Sequence, residues 1–334
     1  MNFDNMNDDF TMGHHQLVGR GARGPRVVAF GGGHGLYASL SALRLITQNL
    51  TAVVTVADDG GSSGRLREEF SVLPPGDLRM ALSALCDESE WGQTWRDVLQ
   101  HRFTSRGPLD GHALGNLLIL SLWEQLDDTV QALDWVGQLL RIRGRVLPMS
   151  SIPLEIEAKV SYEGNVRQVR GQVAVAKAGG HVEEVSLIPH NPPAQPEAIE
   201  AIKEAEWIIF GPGSWYSSVI PHLLVPELAS AVCTSKAKKV VALNLNRESE
   251  TMGMDAAEHI RSFHRHAPNL KLDVVIADPS SVESILDTEK AVQECGAQLM
   301  LRQVRSGDDV GQHDFLRLAA AYRDAFEGVL GDVV

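Results

Sequence analysis

Between Val53 and Leu66 the chain reads VVTVADDGGSSGRL, an apolar run that ends in two adjacent carboxylates, Asp58 and Asp59, and then in glycines and serines. Three chemistries fit that order. Paired carboxylates at a strand end could ligate a magnesium ion that also takes phosphate oxygens. They could instead accept hydrogen bonds from the diol of a ribose or hexose. In the plainest case they are solvated loop acids. Ser62 and Ser63 add hydroxyls and N–H groups at what reads as a helix start, so the acids need not be what touches a phosphate.

Other stretches carry the same kind of promise. Gly31-Gly32-Gly33-His34-Gly35 follows the apolar RVVAF. Glycines let backbone N–H groups close on an anion, and the next helix N-terminus adds partial positive charge. Residues Gly33 to Ala38 also fit the dinucleotide pattern G-x-G-x-x-G/A. Asp58 falls about 20 residues on, where an acid would hold a ribose hydroxyl, so NAD is a candidate. Gly211, Gly213 and Ser214 form a second donor-rich turn after WIIF, with Trp215 and Tyr216 free either to stack on a base or to enter the core. In PPGDLR, Asp77 reads as the N-cap of a helix through Leu85 or as a ligand group, and Arg79 as a bidentate partner for phosphate or carboxylate. In GHALGN, His112 could exchange protons near neutral pH, and Asn116 needs a hydrogen-bond partner. Arg247, Glu250 and Thr251 are the polar groups of a last loop, NLNRESETMGM, after KVVAL, and Asn244 at its start is a further ligand-binding candidate.

These loops need strands to hold them. Short apolar runs at Arg26–Phe30, Thr51–Ala57, Trp207–Phe210, Lys239–Leu245, Leu272–Ala277 and Gln298–Gln303 alternate with helical patterns. That grammar predicts a Rossmann-like α/β fold with a mostly parallel sheet covered by helices on both faces. In such sheets ligands bind beyond the carboxyl ends of the strands, which gathers these loops on one rim. A largely helical stretch from Asp77 to Arg143 follows the second strand. Residues 151–189 then alternate in the strand manner, with turn signals at Glu163-Gly164-Asn165 and Gly179-Gly180, and predict a small antiparallel β insertion. Residues 1–24 read as a disordered tail, and 25–330 as the α/β domain.

Composition narrows the partners. The chain has 334 residues, 44% of them hydrophobic, and a formal net charge of −13. That charge argues against nucleic acid and anionic membranes as partners. No apolar run nears the ~20 residues that span a bilayer, so no membrane insertion is expected. Three widely spaced cysteines with no CxxC pair predict buried free thiols in a reducing cytoplasm. A homodimer is compatible with all of this.

Taken together, GGGHG, DDGGSSGRLR, PPGDLR, GHALGN, FGPGSWYSSVIPHL and NLNRESETMG resemble, in order and spacing, the YvcK family of the CofD-like superfamily, over roughly residues 25–326. The resemblance implies a cytoplasmic protein with a Rossmann-like core, one of the gluconeogenesis factors. It implies binding of UDP-sugars such as UDP-N-acetylglucosamine, and support of cell shape and wall synthesis during gluconeogenic growth. No reaction is firmly attached to that branch. The CofD branch transfers 2-phospho-L-lactate to a deazaflavin alcohol with a divalent metal, which is the rival expectation. Two departures stand out. Relatives usually carry Gln-Pro-Gly-Glu-Thr or Glu-Pro-Gly-Glu-Thr where this chain has Arg247-Glu248-Ser249-Glu250-Thr251, and a basic residue where it has Gln312, before His313-Asp314.

The resulting expectation is a nucleotide-sugar pocket. Gly32, Gly33, His34 and Gly35 hold a diphosphate with Gly211, Gly213 and Ser214. Asp58 or Asp59 takes ribose or sugar hydroxyls, and Arg79 and Asn116 complete the wall.

Overall fold

A computed structural model describes residues 24–246, 249–307 and 311–331. The expected tail therefore lies outside the described residues, save Gly24, as do Arg247 and Glu248 of the altered loop.

In chain order the elements are β1 (Val27–Gly31), α1 (Gly33–Leu43), β2 (Leu50–Val54), α2 (Gly61–Phe70), α3 (Pro75–Ala84), α4 (Glu90–Gln100), α5 (Leu114–Leu126), α6 (Thr129–Leu139) and β3 (Arg145–Pro148). They continue with β4 (Glu155–Tyr162), β5 (Asn165–Arg170), α7 (Gln172–Ala176), β6 (His181–Ile188), α8 (Pro196–Glu204), β7 (Trp207–Phe210), α9 (Pro226–Thr234) and β8 (Lys238–Ala242). Last come α10 (Ala256–His266), β9 (Val274–Ala277), α11 (Ile285–Glu294), β10 (Gln298–Leu301) and α12 (Phe315–Glu327). The main sheet runs β10-β9-β8-β7-β1-β2-β3, and every pair in it is parallel.

The strands read as continuous apolar runs because both faces are covered. All five residues of β1 and all four of β7 are buried. Phe30 and Phe210 stand in register on these neighbours and stack with ring centroids 5.0 Å apart. Each such side chain contributes about 1.5–3 kcal/mol by leaving water. Three of the six predicted strands, β2, β8 and β10, end two or three residues early, since the sheet stops where the rim loops begin. β3 was not anticipated: RVLP is four residues long and ends in proline, which leaves no period to detect.

The insertion is a three-stranded antiparallel sheet ordered β5-β4-β6. Its hairpin turns on Glu163 (φ 50°) and Gly164 (φ 80°), the two positive dihedrals that a type I′ turn demands. Ile156, Ala158 and Val160 of β4 and Val182, Val185 and Leu187 of β6 bury one face. One correction matters for function: residues 172–176, which read as strand, form the short helix α7, pinned by fully buried Val175.

Among the described residues no single helix is long and apolar enough to cross a membrane, and the apolar stretch Trp215–Thr234 is broken by a 78° bend. Cys86 and Cys295 are buried free thiols as expected, but Cys233 is exposed.

Candidate functional site

β1 and β7 are neighbours at the point where the strand order reverses: the chain leaves β1 toward β2 on one side and β7 toward β8 on the other. Diverging connections leave a crevice above the two strand ends. The loops on its sides are GGGHG and GPGS.

These two loops touch. A Cβ on Gly35 would lie 2.3 Å from the Pro212 carbonyl oxygen and 2.4 Å from Gly213 Cα, so no other residue permits the approach. Gly33 has φ +57°, with open space where a side chain would project. Helix α1 starts there without a side-chain cap, which leaves N–H groups and the positive end of its dipole toward the crevice. The second loop is held differently. Asn244, just beyond β8, brackets Gly213: its Oδ1 accepts the Gly213 N–H and its Nδ2 donates to the Gly213 carbonyl, both at 2.8 Å. The buried Glu250 carboxylate accepts the Tyr216 N–H at 2.9 Å. Two donors of the supposed cradle, the Gly213 and Tyr216 N–H groups, are thus spent inside the protein.

Above the loops lies a cavity of about 860 Å³, within the roughly 300–1,000 Å³ of small-molecule sites. Of the predicted residues it is lined by Gly32, Gly33, His34, Gly35, Asp77, Gly213, Ser214 and Asn244. Sequence reasoning missed Gln172 and Lys177 on the insertion, the buried serines Ser217 and Ser218, and His313, which also face it. The glycine signal could not find Gln172, Lys177 or His313, which sit on α7, at its C-cap and after β10, far from any motif of that kind; Ser217 and Ser218 lie inside the GPGSWYSS stretch itself.

Asp77 does not cap α3. The helix begins at Pro75, with Pro74 in the cap position and no side-chain cap. Asp77 instead reaches under the first loop, where a Cβ on Gly32 would come within 2.4 Å of its Oδ2. The carboxylate accepts the Gly33 N–H, while buried Oδ2 has no partner. Burial, then the nearby Asp58 charge, pushes its pKa up to about 7. A carboxyl buried this deeply beside another acid is best tolerated when it carries a proton. His313 is shifted the other way, to about 4 by burial, so its ring is neutral; it is held by the Leu243 carbonyl and its Nε2 has no partner.

Ten predicted residues do not line this cavity. Asp59 Oδ1 accepts the Val173 N–H of α7 at 2.9 Å, tying the rim to the insertion. Asp58 accepts the Gly60 N–H at 2.9 Å and bonds Ser63, and burial raises its pKa. The two carboxylates serve separate partners. Among the described residues no group of three or more His, Cys, Asp or Glu gathers as a metal-ligand set. Asp58, expected as the ribose acid of a dinucleotide site, does not line the cavity, and Gly35 lies against Pro212.

Ser62, Arg79, His112 and Asn116 form a buried bolt behind the rim. Ser62 Oγ accepts the Asn116 amide at 3.0 Å and the Ala113 N–H at 3.3 Å, and so donates to His112 Nδ1 at 3.0 Å. Arg79 Nε donates to Asn116 Oδ1 at 2.9 Å, and Nη1 to Gln100. Burial lowers Arg79 to about 10, which leaves it charged at neutral pH. Gly211, Glu250 and Thr251 are also outside the cavity lining, Glu250 acting as the brace described above. Trp215 and Tyr216 are both fully buried, against Phe263 and Ser262 respectively, and neither can stack on a ligand.

The fold and crevice define a Rossmann-like protein with a candidate cavity at its topological switch point. The family model described as 2-phospho-L-lactate transferase CofD matches residues 27–306. A Mycobacterium tuberculosis protein named "Putative gluconeogenesis factor" is 50% identical over 79% of this chain and 79% of its own length. The Gluconeogenesis factors of Listeria monocytogenes and Bacillus subtilis are 38% and 34% identical, over 85% and 90% of this chain and 90% and 98% of theirs. A crystal structure of a UPF0052-family protein from Bacillus halodurans superposes with a TM-score of 0.80 at 33% identity, covering 90% of this chain and 98% of that one. The chain belongs to the YvcK family of gluconeogenesis factors within the CofD-like proteins.

Proposed function

We propose that this protein binds a nucleotide sugar, of the UDP-N-acetylglucosamine class, in the crevice between the β1 and β7 loops, and acts as a cytoplasmic regulator during gluconeogenic growth. The observation that carries the reading is the contact of two glycine loops over one large cavity at the switch point. The uncapped start of α1 suits a diphosphate, which needs N–H donors and positive potential. Ser214, Ser217 and His313 supply hydroxyl and ring-nitrogen partners for ribose and sugar hydroxyls, in place of Asp58 and Asp59. The names of the relatives support the metabolic setting. A role in cell shape and wall synthesis follows if the bound sugar nucleotide is the signal.

Calorimetric titration with UDP-N-acetylglucosamine and with NAD, each with and without magnesium, tests this. The reading expects saturable, metal-independent binding of the UDP-sugar and little response to NAD. Binding that requires magnesium, or turnover of a phosphodiester donor onto an alcohol, would overturn it in favour of a CofD-type transferase.

A further inference from the structure

Lys177 is the only lysine or arginine among the described residues that line the cavity. The chain as a whole is strongly acidic, with a formal net charge of −13. A diphosphate entering the crevice therefore meets one helix N-terminus and one cationic side chain, with the Asp77 carboxyl beneath. Lys177 is exposed and in no ion pair among the described residues, whereas Lys159 and Lys203 are bound to Glu184 and Glu200. It stands at the C-cap of α7, outside the Rossmann-like core.

What fixes α7 over the cavity is the carboxylate that the sequence suggested for ligand binding. Asp59 Oδ1 accepts the Val173 N–H at 2.9 Å, and a Cβ on Gly171 would lie 2.3 Å from Asp59 Oδ2, so the rim loop and the start of α7 are in direct contact. Gln172 adds a second tie, Nε2 to the Ser217 carbonyl at 3.5 Å. Val175 anchors the helix from below. Three observations thus converge on one side chain: a cavity, an unpaired cation facing it, and a latch that sets the position of its helix.

We propose that Lys177 is the phosphate-neutralising residue of this site and that Asp59 is its positioning residue, acting through the Val173 N–H. The β insertion then forms the cationic wall of the pocket, and the ligand class it selects is a nucleoside diphosphate over an uncharged nucleoside. This deepens the nucleotide-sugar reading and rests on it for the base, though not for the phosphate.

The test titrates the full chain with UDP, uridine and inorganic pyrophosphate. Lys177→Ala should weaken UDP and pyrophosphate about tenfold or more, close to 1.4 kcal/mol, and leave uridine unchanged. Asp59→Ala should weaken them as well, while Asp59→Asn, which keeps an acceptor for the Val173 N–H, should restore wild-type affinity. Lys177→Ala binding UDP as tightly as wild type would overturn the proposal and leave the nucleotide reading standing. An equal loss for uridine would overturn the phosphate assignment. Asp59→Asn as weak as Asp59→Ala would overturn the latch. Lys177-dependent binding of pyrophosphate with no gain from the nucleoside would sustain this inference and sink the nucleotide reading; wild-type protein that binds none of the three would sink both.

Discussion

Gly35→Ala sets two effects of opposite sign against each other. Gly35 lies in the first turn of α1, and alanine in a helix is favoured over glycine by up to about 1 kcal/mol. Against that, the new Cβ would sit 2.3 Å from the Pro212 oxygen, 2.4 Å from Gly213 Cα and 2.6 Å from the Pro212 carbonyl carbon. All three are backbone atoms, so no side chain can swing aside, and one loop must retreat. Overpacking of this kind costs about 1–3 kcal/mol, and an immovable neighbour puts it at the upper end. The net expectation is destabilisation by about 1–2 kcal/mol, a fall in melting temperature of a few degrees at about 2–4 °C per kcal/mol. UDP-sugar affinity should fall with it, because the loops that flank the cavity have separated. Gly33→Ala is the control: its Cβ meets nothing within 4 Å, but φ is +57°, so it loses about 1–2 kcal/mol through backbone strain alone. Circular-dichroism melting and calorimetric titration of both variants read the outcome. A Gly35→Ala protein that melts at or above the wild-type temperature and binds normally would refute the loop contact.

Asp77→Asn should change the pH dependence of stability. The folded pKa is about 7 against 3.8 for an ordinary aspartate, so the native state holds more protons than the unfolded one between these values. Wild-type stability therefore falls as pH rises from about 4 to 7, with a ceiling near 4 kcal/mol at 1.36 kcal/mol per unit. Urea titrations at pH 4.5 and 8 should show the Asn variant gaining about 1–4 kcal/mol relative to wild type at the higher pH; parallel profiles would count against a buried, proton-bearing Asp77. Asn116→Ala removes the acceptor for Arg79 Nε and a donor to Ser62. It should cost about 2–4 kcal/mol in chemical denaturation and leave the affinity of the folded protein unaltered, since Asn116 does not line the cavity. An affinity loss with intact stability would place it in the ligand site after all.

The sheet was legible because its strands are continuous apolar runs ended by glycine or polar loops, a local signal that parallel packing imposes. GGGHG and GPGS were legible for the same reason: unusual backbone demands leave glycines in the sequence. Distinguishing the working polar residues was harder. Ser62, Arg79, His112 and Asn116 have the residue types of a ligand site, yet they satisfy one another, and only three-dimensional pairing separates a bolt from a binding group. Asp77 looked like a cap because an acid near Pro-Pro-Gly often is one, but the helix begins two residues earlier and frees its carboxyl to reach the loop. Lys177 carries no sequence signal, because its role depends on how an inserted sheet folds back over the rim.

The central claim is that the ligand sits where the β1 and β7 loops meet. Hydrogen–deuterium exchange with and without saturating UDP-N-acetylglucosamine tests this most directly. The account predicts protection of the first turn of α1, residues 33–37, and of residues 214–218 with α7, and little change in residues 108–116. Protection centred on residues 58–66 or on the 108–116 segment, with the α1 amides unchanged, would contradict it.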